Sequence, residues 1–284
     1  MPGILYVVAT PIGNLEDVTF RAVRVLSEVS LIAAEDTRRT ARLLQHYSIP
    51  TPTTSLHEHN ERAKTPGLIE RLKRGDSVAL VSDAGTPVVS DPGAHLVAEA
   101  HRAGITVEPV PGASAVMAVL SASGLAPKEF LFVGFPPSRS KARGEWLRRL
   151  ARDPRPIVLF ESPHRIRALL VQMLDILGDR PITVGRELTK AHENLVNRPI
   201  SAHLEALGHP KGEFALVIHP GIEPEMTSAG DVQPSQLAQE FWDLTNNAGL
   251  SRRAALKSVA ATHGVGAREV YRAVEAHKGG SSDR

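Results

Sequence analysis

Short apolar runs recur along this chain at residues 4–9, 31–34, 78–81, 107–110, 130–133, 157–160, 182–184 and 214–218. Most are separated by stretches with apolar residues at helical intervals, such as Val18, Phe20, Val23, Val25 and Leu26, or Ile166, Leu169, Leu170, Met173, Leu174 and Leu177. The runs are too short for helices and fit strands. Strand–helix alternation of this kind predicts an α/β protein with at least partly parallel sheets. Open sheets of that class bind ligands at the carboxyl ends of their strands. The turns that leave the strands are therefore where chemistry is to be sought.

The richest of these turns is Ser82-Asp83-Ala84-Gly85-Thr86-Pro87-Val88-Val89-Ser90-Asp91-Pro92-Gly93, which lies between a strand-like and a helix-like segment. Gly85 and Gly93 allow close backbone approach to a ligand, and Pro87 and Pro92 stiffen the loop. Asp83 is placed to accept hydrogen bonds from a ribose or an ammonium group, whereas Asp91 is expected either to join it or to cap the next helix.

Other strand ends are nearly as polar. Thr10-Pro11-Ile12-Gly13-Asn14 is neither a G-x-G-x-x-G fingerprint nor a P-loop, and the helix after it should be capped near Asp17. Pro111-Gly112-Ala113-Ser114-Ala115 imitates a nucleophile elbow without its closing glycine, so Ser114 reads as a first-turn residue of a helix. Glu35-Asp36-Thr37-Arg38 offers a helix cap at Asp36 or Thr37 and a Glu35–Arg38 pair. Arg186-Glu187-Leu188-Thr189-Lys190 leaves another strand, with His192, Glu193 and Asn194 close behind. Acids and bases thus converge on one edge, as a site for a charged substrate requires. The candidates for acid–base or electrostatic work are Glu35, Asp36, Glu161, Glu187, Lys190 and Glu193, and the sequence does not choose among them. His57-Glu58-His59 reads as a polar substrate-side loop and His164 as a helix-start residue; no metal site is expected.

Composition removes several classes. There is no cysteine, hence no disulfide, thiolate zinc site or cysteine nucleophile. No apolar stretch approaches the ~20 residues of a membrane helix, and the amino terminus lacks signal-peptide layout. A cytoplasmic setting is expected. The net charge of +2 is unremarkable, but residues 138–167 hold nine Lys or Arg against three acids. Arg148, Arg149 and Arg152 fit a solvated helix face. Arg139, Lys141 and Arg143 follow Pro136-Pro137 in a loop and are expected to meet phosphates.

Pro109-Val110-Pro111-Gly112 is the best interior break and residues 220–230 have linker composition, so the predicted domains are 1–112, 113–221 and 232–278. The last should contain helices at about 234–245, 252–262 and 267–277, with Ser251 as a cap, a turn at Gly264-Val265-Gly266 and a disordered tail from 279. This is a helix-turn-helix-like pattern, yet its charge is nearly balanced, which favours an RNA-docking or packing accessory over a DNA-binding module.

Taken in order, the turns named above, with Tyr6-Val7-Val8-Ala9 before the first, His57-Glu58-His59-Asn60 and Phe160-Glu161-Ser162-Pro163-His164-Arg165, resemble the ribosomal RNA small subunit methyltransferase I family over residues 4–218. That family is a branch of the tetrapyrrole-methylase superfamily. The resemblance implies two α/β lobes with S-adenosylmethionine in the cleft between them. It puts cofactor contacts at Pro11, Ile12, Gly13, Asp83, Ala84, Thr86, Ser114, Ala115, Phe160 and Ala215. It also implies 2′-O-methylation of one cytidine of 16S ribosomal RNA, within the 30S particle, by a homodimer. Arg38 and Arg165 join the basic loop as RNA contacts, with Glu35, Asp36, Glu161 and Lys190 as the leading catalytic candidates. Two departures stand out. The superfamily's G-x-G-P-G turn is Thr10-Pro11-Ile12-Gly13 here, as in the ribosomal branch, and the basic loop, Phe135 to Lys141, is less compact than that branch's Pro-Arg-Lys. The alternatives are a small-molecule methylase acting on a tetrapyrrole precursor and a non-catalytic ribosome-binding protein.

Overall fold

The computed structural model describes residues 2–221, 233–246, 250–263 and 265–277. The chain divides into two compact units, Met1–Pro220 and Gly221–Arg284. The first begins with strand β1 (Leu5–Val8), a 3-10 turn at Leu15–Asp17 and helix α1 (Phe20–Glu28). It continues through β2 (Leu31–Ala34), α2 (Thr37–His46), β3 (Thr53–Ser55), α3 (Glu61–Lys73), β4 (Val78–Val81), α4 (Ala94–Arg102) and β5 (Val107–Val110). These strands form a wholly parallel sheet in the order β3-β2-β4-β1-β5.

Side chains alternate across this sheet. Leu5, Ala33, Val78 and Leu80 pack with Leu68, Leu72 and Leu96, whereas Val8, Ile32, Ala34, Ala79 and Val81 pack with Ala22, Val25, Leu26 and Leu43. Burial on both faces is why the strands read as unbroken apolar runs. Leu72 is fully buried, so truncating it to alanine should cost about 2–5 kcal/mol.

The second sheet is built from β6 (Leu131–Phe132), β7 (Ile157–Glu161), β8 (Pro181–Arg186), β9 (Asn194–Pro199) and β10 (Phe214–Ile218), in the order β6-β7-β10-β8-β9. Only β6 and β7 run parallel; the remaining pairs are antiparallel. Helices α5 (Ala115–Ser121), α6 (Ser140–Leu150), α7 (Ile166–Leu177) and α8 (Ile200–Ala206) complete this half. One face of the sheet carries Ile157, Leu159, Ile182 and Leu216 against Leu147, Leu169 and Met173 of α6 and α7. The other carries Val158, Ala215 and Val217 against Val116, Val119 and Leu120 of α5, and runs on into Phe160 and Leu188. The division expected at residue 112 falls between β5 and α5, inside one compact unit.

β3 and β9 have no counterpart among the apolar runs. β3 is three polar residues, and β9 (Asn194-Leu195-Val196-Asn197-Arg198-Pro199) is a half-exposed strand paired along its length to β8. Strands with one neighbour need little hydrophobicity.

Several caps differ from expectation. α1 is capped by Thr19, whose side chain accepts from the Ala22 N–H, and Asn14 caps the preceding 3-10 turn, so Asp17 caps neither. α2 is capped by Asp36, which pairs with Arg38; Glu35 is engaged elsewhere. α4 starts at Gly93 without a side-chain cap of its own. Its first-turn N–H groups at His95 and Leu96 donate to Glu61 Oε1 of α3, at 2.8 and 3.1 Å. Asp91 is therefore released from capping. Gly93 itself has φ +120°, and a Cβ there would lie 2.5 Å from Leu80 Cδ2, so its freedom serves core packing, not a ligand.

In the second unit, α9 (Pro234–Asn246), α10 (Arg252–Thr262) and α11 (Ala267–His277) pack around Phe241, with Leu237, Ala255, Val259, Val270 and Val274. Ser251 caps α10 by accepting the Ala254 N–H. The linker beyond residue 221, Gly264 and the tail from 279 lie outside the described residues.

Candidate active site

The turns leaving β1, β2, β4 and β5 meet one end of the second sheet around a cavity of about 410 Å³. That volume is within the usual range for a small-ligand site. Ile12 comes from the first turn, Glu35 from the second, Arg39 from the first turn of α2, and Asp83, Ala84, Thr86 and Asp91 from the loop after β4. Ser114 and Ala115 open α5, and the second half adds Phe160, Glu161, Lys190, Glu213 and Ala215. Eight of the ten expected cofactor contacts thus share one cavity. Pro11 and Gly13 line an adjoining one of about 300 Å³, which also takes in Ile12, Asp83 and Ala84.

Glu35 and Asp83 bind the ends of β2 and β4 together. The Asp83 N–H donates to Glu35 Oε2 at 3.2 Å, the Asp36 N–H donates to Asp83 Oδ1 at 3.0 Å, and Arg39 Nη1 lies 3.4 Å from Asp83 Oδ2. Burial pushes the Glu35 carboxyl above its usual range, and the Asp83 charge adds to this. Asp91 is pushed up to about 6, first by burial and then by Glu35 and Asp83, against a stabilising hydrogen bond from Ser82. Glu161 is buried in β7; its Oε1 accepts the Ser162 N–H at 2.8 Å, while Oε2 has only Arg165, 3.3 Å away and outside hydrogen-bond geometry.

Two strained turns border the cavity. Val88 (φ 74°) and Ser90 (φ 66°) lie in the loop after β4, and Glu187 (φ 51°) and Thr189 (φ 64°) in the turn after β8. Each such residue costs about 1–3 kcal/mol and persists only where its surroundings hold it. At the second turn the hold is visible. Lys190 Nζ donates to Glu187 Oε1 and Glu213 Oε2, both at 2.9 Å, and the Glu213 N–H reaches Glu187 Oε1 at 2.9 Å. Burial opposes the Lys190 charge most strongly, but the two carboxylates outweigh it and raise the ammonium's pKa. The first turn presses on this one: a Cβ at residue 13 would lie 2.5 Å from Lys190 Cγ, and the Asn14 N–H donates to Thr189 Oγ1 at 3.1 Å.

Of the catalytic candidates, Glu35, Glu161 and Lys190 line the cavity and Asp36 does not. Asp36 caps α2, and its bidentate hydrogen bonds from Arg38 hold its carboxyl at about 2. Glu187 supports Lys190, and Glu193 Oε2 accepts the Thr189 N–H at 2.7 Å. The RNA-facing set requires correction. Arg139 and Lys141 are exposed, as are Arg148, Arg149 and Arg152, but Arg143 is only 6% exposed and donates to Gln172 Oε1 and the Ser138 carbonyl. It ties α6 to α7 and has no face left for a phosphate. Arg165 is half-buried, with its guanidinium on the Pro136 and Pro137 carbonyls, so it holds the basic loop. Arg38 remains exposed beside Asp36. Sequence reasoning missed Arg39 and Glu213 as lining residues; Glu213 stands next to Gly212 at the start of β10, a signal that could have found it.

Residues 4–203 match the family described as Tetrapyrrole (Corrin/Porphyrin) Methylases. The chain is 46% identical over 259 residues to a Vibrio cholerae protein named ribosomal RNA small subunit methyltransferase I, covering 89% of this chain and 88% of that one. The proteins of that name from Synechocystis (50%, covering 78% and 81%) and Bacillus subtilis (42%, covering 95% and 93%) are similarly close. The chain belongs to the ribosomal RNA small subunit methyltransferase I family of tetrapyrrole methylases.

Membership of this methyltransferase family accounts for the order of motifs from the first turn to Lys190. Solved structures extend the likeness in fold. Uroporphyrin-III C-methyltransferase from Thermus thermophilus, in complex with S-adenyl homocysteine, superposes with a TM-score of 0.55 at 19% identity, over 76% of this chain and 96% of that one. Diphthine synthase does so with a TM-score of 0.58 at 16% identity, over 76% and 89%. At such identities they establish the methylase fold alone. The described residues contain no helix long and apolar enough to cross a membrane.

Proposed function

We propose that this protein transfers the methyl group of S-adenosylmethionine to the ribose 2′-hydroxyl of a cytidine in small-subunit ribosomal RNA. It acts on the 30S particle as a cytoplasmic homodimer. The observation that carries the reading is the composition of the larger cavity: five carboxylates (Glu35, Asp83, Asp91, Glu161, Glu213) against two cations, Arg39 and Lys190, beside an apolar wall of Phe160, Ala115 and Ala215. Such a pocket suits a flat heterocycle joined to a positively charged sulfur. Glu161 Oε2, buried without a donor, is an acceptor for a hydroxyl or ammonium group. Ile12, Asp83, Ala84, Thr86, Ser114 and Ala115 would hold the cofactor.

When bound, S-adenosylmethionine supplies an electrophilic methyl group whose bond to sulfur breaks, the electron pair staying on sulfur, as the ribose oxygen forms its new bond. The chain's own contribution is orientation, worth about 7–11 kcal/mol of barrier, and management of the hydroxyl proton. Glu35, with its carboxyl pKa raised, is suited to accept that proton. Lys190 stays protonated and stabilises negative charge growing on the attacking oxygen.

A tetrapyrrole substrate is the second reading, favoured by the folds of the solved relatives. The curated relatives at 42–50% identity and the exposed Arg139 and Lys141 support RNA instead. The test is tritium transfer from labelled S-adenosylmethionine to 30S subunits, naked 16S RNA and a tetrapyrrole. Label should enter the RNA and make one phosphodiester after a cytidine resist alkali. Label in the tetrapyrrole, or in nothing, would refute the proposal, the latter leaving a non-catalytic ribosome-binding role.

A further inference from the structure

The two cavities at the strand ends share a wall made of Ile12, Arg39, Asp83, Ala84, Lys190 and Glu213. In that wall the charges cancel in pairs: Arg39 faces Asp83 at 3.4 Å and Lys190 faces Glu213 at 2.9 Å. The residues particular to each side then decide its character. On the larger side the remaining charged residues are Glu35, Asp91 and Glu161, all acids. On the smaller side there is one, Arg42, a cation. Arg42 lies on α2 one turn beyond Arg38 and Arg39, is exposed, and among the described residues has no ion pair or side-chain hydrogen bond.

We propose that the smaller cavity is the seat of a backbone phosphate of the RNA, held by Arg42, next to the ribose that is methylated across the shared wall. This rests on the reading of the substrate as RNA. Displacement at a methyl group places the attacking oxygen opposite the departing sulfur, so the acceptor must approach from outside the cofactor's pocket. A cationic cofactor in the acidic cavity leaves the adjoining basic one for the anionic substrate. In an RNA strand the phosphate nearest a 2′-oxygen is the one on the adjacent 3′-oxygen, which links to the next nucleotide, so a ribose at the wall brings a phosphate into the neighbouring space. The guanidinium fork matches phosphate oxygens in a way that an ammonium does not. The unneutralised state of Arg42 is the feature this explains: a buried or paired arginine would serve structure, and one facing bulk solvent alone would line no cavity.

The test compares wild type, Arg42→Ala and Arg42→Lys in single-turnover methylation of unmethylated 30S subunits over a series of salt concentrations, with cofactor affinity measured by calorimetry. For Arg42→Ala the half-saturating concentration of 30S should rise about tenfold, as for loss of one charge-assisted hydrogen bond. Its log–log salt slope should flatten by about 0.7–0.9, one phosphate contact. The rate at saturation should stay within about twofold and cofactor affinity should not change. Arg42→Lys should restore the slope and part of the affinity. A wild-type slope and half-saturation in Arg42→Ala would overturn the proposal, as would a loss confined to the saturated rate. Absence of any transfer to 30S by wild type would instead refute the RNA reading on which it rests.

Discussion

Glu35 and Asp83 hold each other's backbone neighbourhood: Glu35 Oε2 accepts the N–H of Asp83, and Asp83 Oδ1 accepts the N–H of Asp36, the residue after Glu35. Two adjacent strand ends are thereby fixed by the carboxylates that line the cavity. Replacing Asp83 with alanine removes the acceptor for a part-buried N–H and the partner of Arg39. Stability should fall by about 1–3 kcal/mol, read by urea denaturation, and cofactor affinity should fall with it. A mutant of wild-type stability would show that the β2 and β4 ends do not depend on this pair.

Ala84 offers a cleaner probe of the cofactor cavity. It is exposed yet lines both cavities, whereas Ala215 is 5% exposed and packs in the core beside Val119 and Val217. Ala84→Phe should fill the cleft and abolish calorimetric binding of S-adenosylmethionine, with a melting temperature within a few degrees of wild type. Retained binding in that folded variant would move the cofactor elsewhere.

The three cations expected in a loop sit instead at the start of α6, Arg139 as its N-cap and Lys141 and Arg143 within it. Arg143 should separate from the other two on mutation. Arg143→Ala removes the link between α6 and α7 and should destabilise the protein by about 1–3 kcal/mol without altering the salt slope of RNA binding. Neutralising Arg139 and Lys141 together should leave stability alone and flatten that slope by about 0.7–0.9 per lost contact. Filter binding at several salt concentrations checks both.

Lys190 has both a structural and a chemical part to play, and kinetics distinguishes them. Lys190→Ala should lower the single-turnover rate by about 10²–10³-fold, the usual loss for one donor to a developing oxyanion. Because Glu187 and Glu213 also lose their partner, the melting temperature should drop as well. A near-normal rate in a less stable mutant would reduce Lys190 to a brace for the strained turn.

Asp91 predicts a pH dependence of stability. Its carboxyl titrates at about 6 in the folded protein against 3.8 for the ordinary group, so the folded state holds the proton more tightly. The native state is therefore favoured below pH ~4 relative to pH 7, and this advantage is lost as pH rises through about 6. Asp91→Asn should remove the dependence, matching wild type at the acid end and exceeding its melting temperature at pH 7–8. A parallel pair of curves would show that Asp91 is not held in this way.

The sequence by itself determined the alternation of strands and helices, and with it which turns meet at one edge. Runs such as Val78–Val81 are apolar because both faces are covered, and the turns after them are polar because backbone leaving a sheet must be satisfied locally. That is why the turns that carry Ile12, Asp83, Ala84 and Ser114 could be placed at one edge from the sequence, while it was the family resemblance that implied these residues themselves as cofactor contacts. Which polar residues face the cavity was decided by contacts between distant segments. Asp91 is free to line it because Glu61, from another helix, caps α4 in its place. Arg143 is lost to the surface because Gln172 lies opposite it on α7. Glu35 turns to Asp83, and Lys190 to Glu213, across many residues of chain. Local periodicity and turn chemistry carry no record of such partners. A charged side chain takes the nearest opposite charge or open hydrogen bond in space, and only the packing of the two sheets sets what is near.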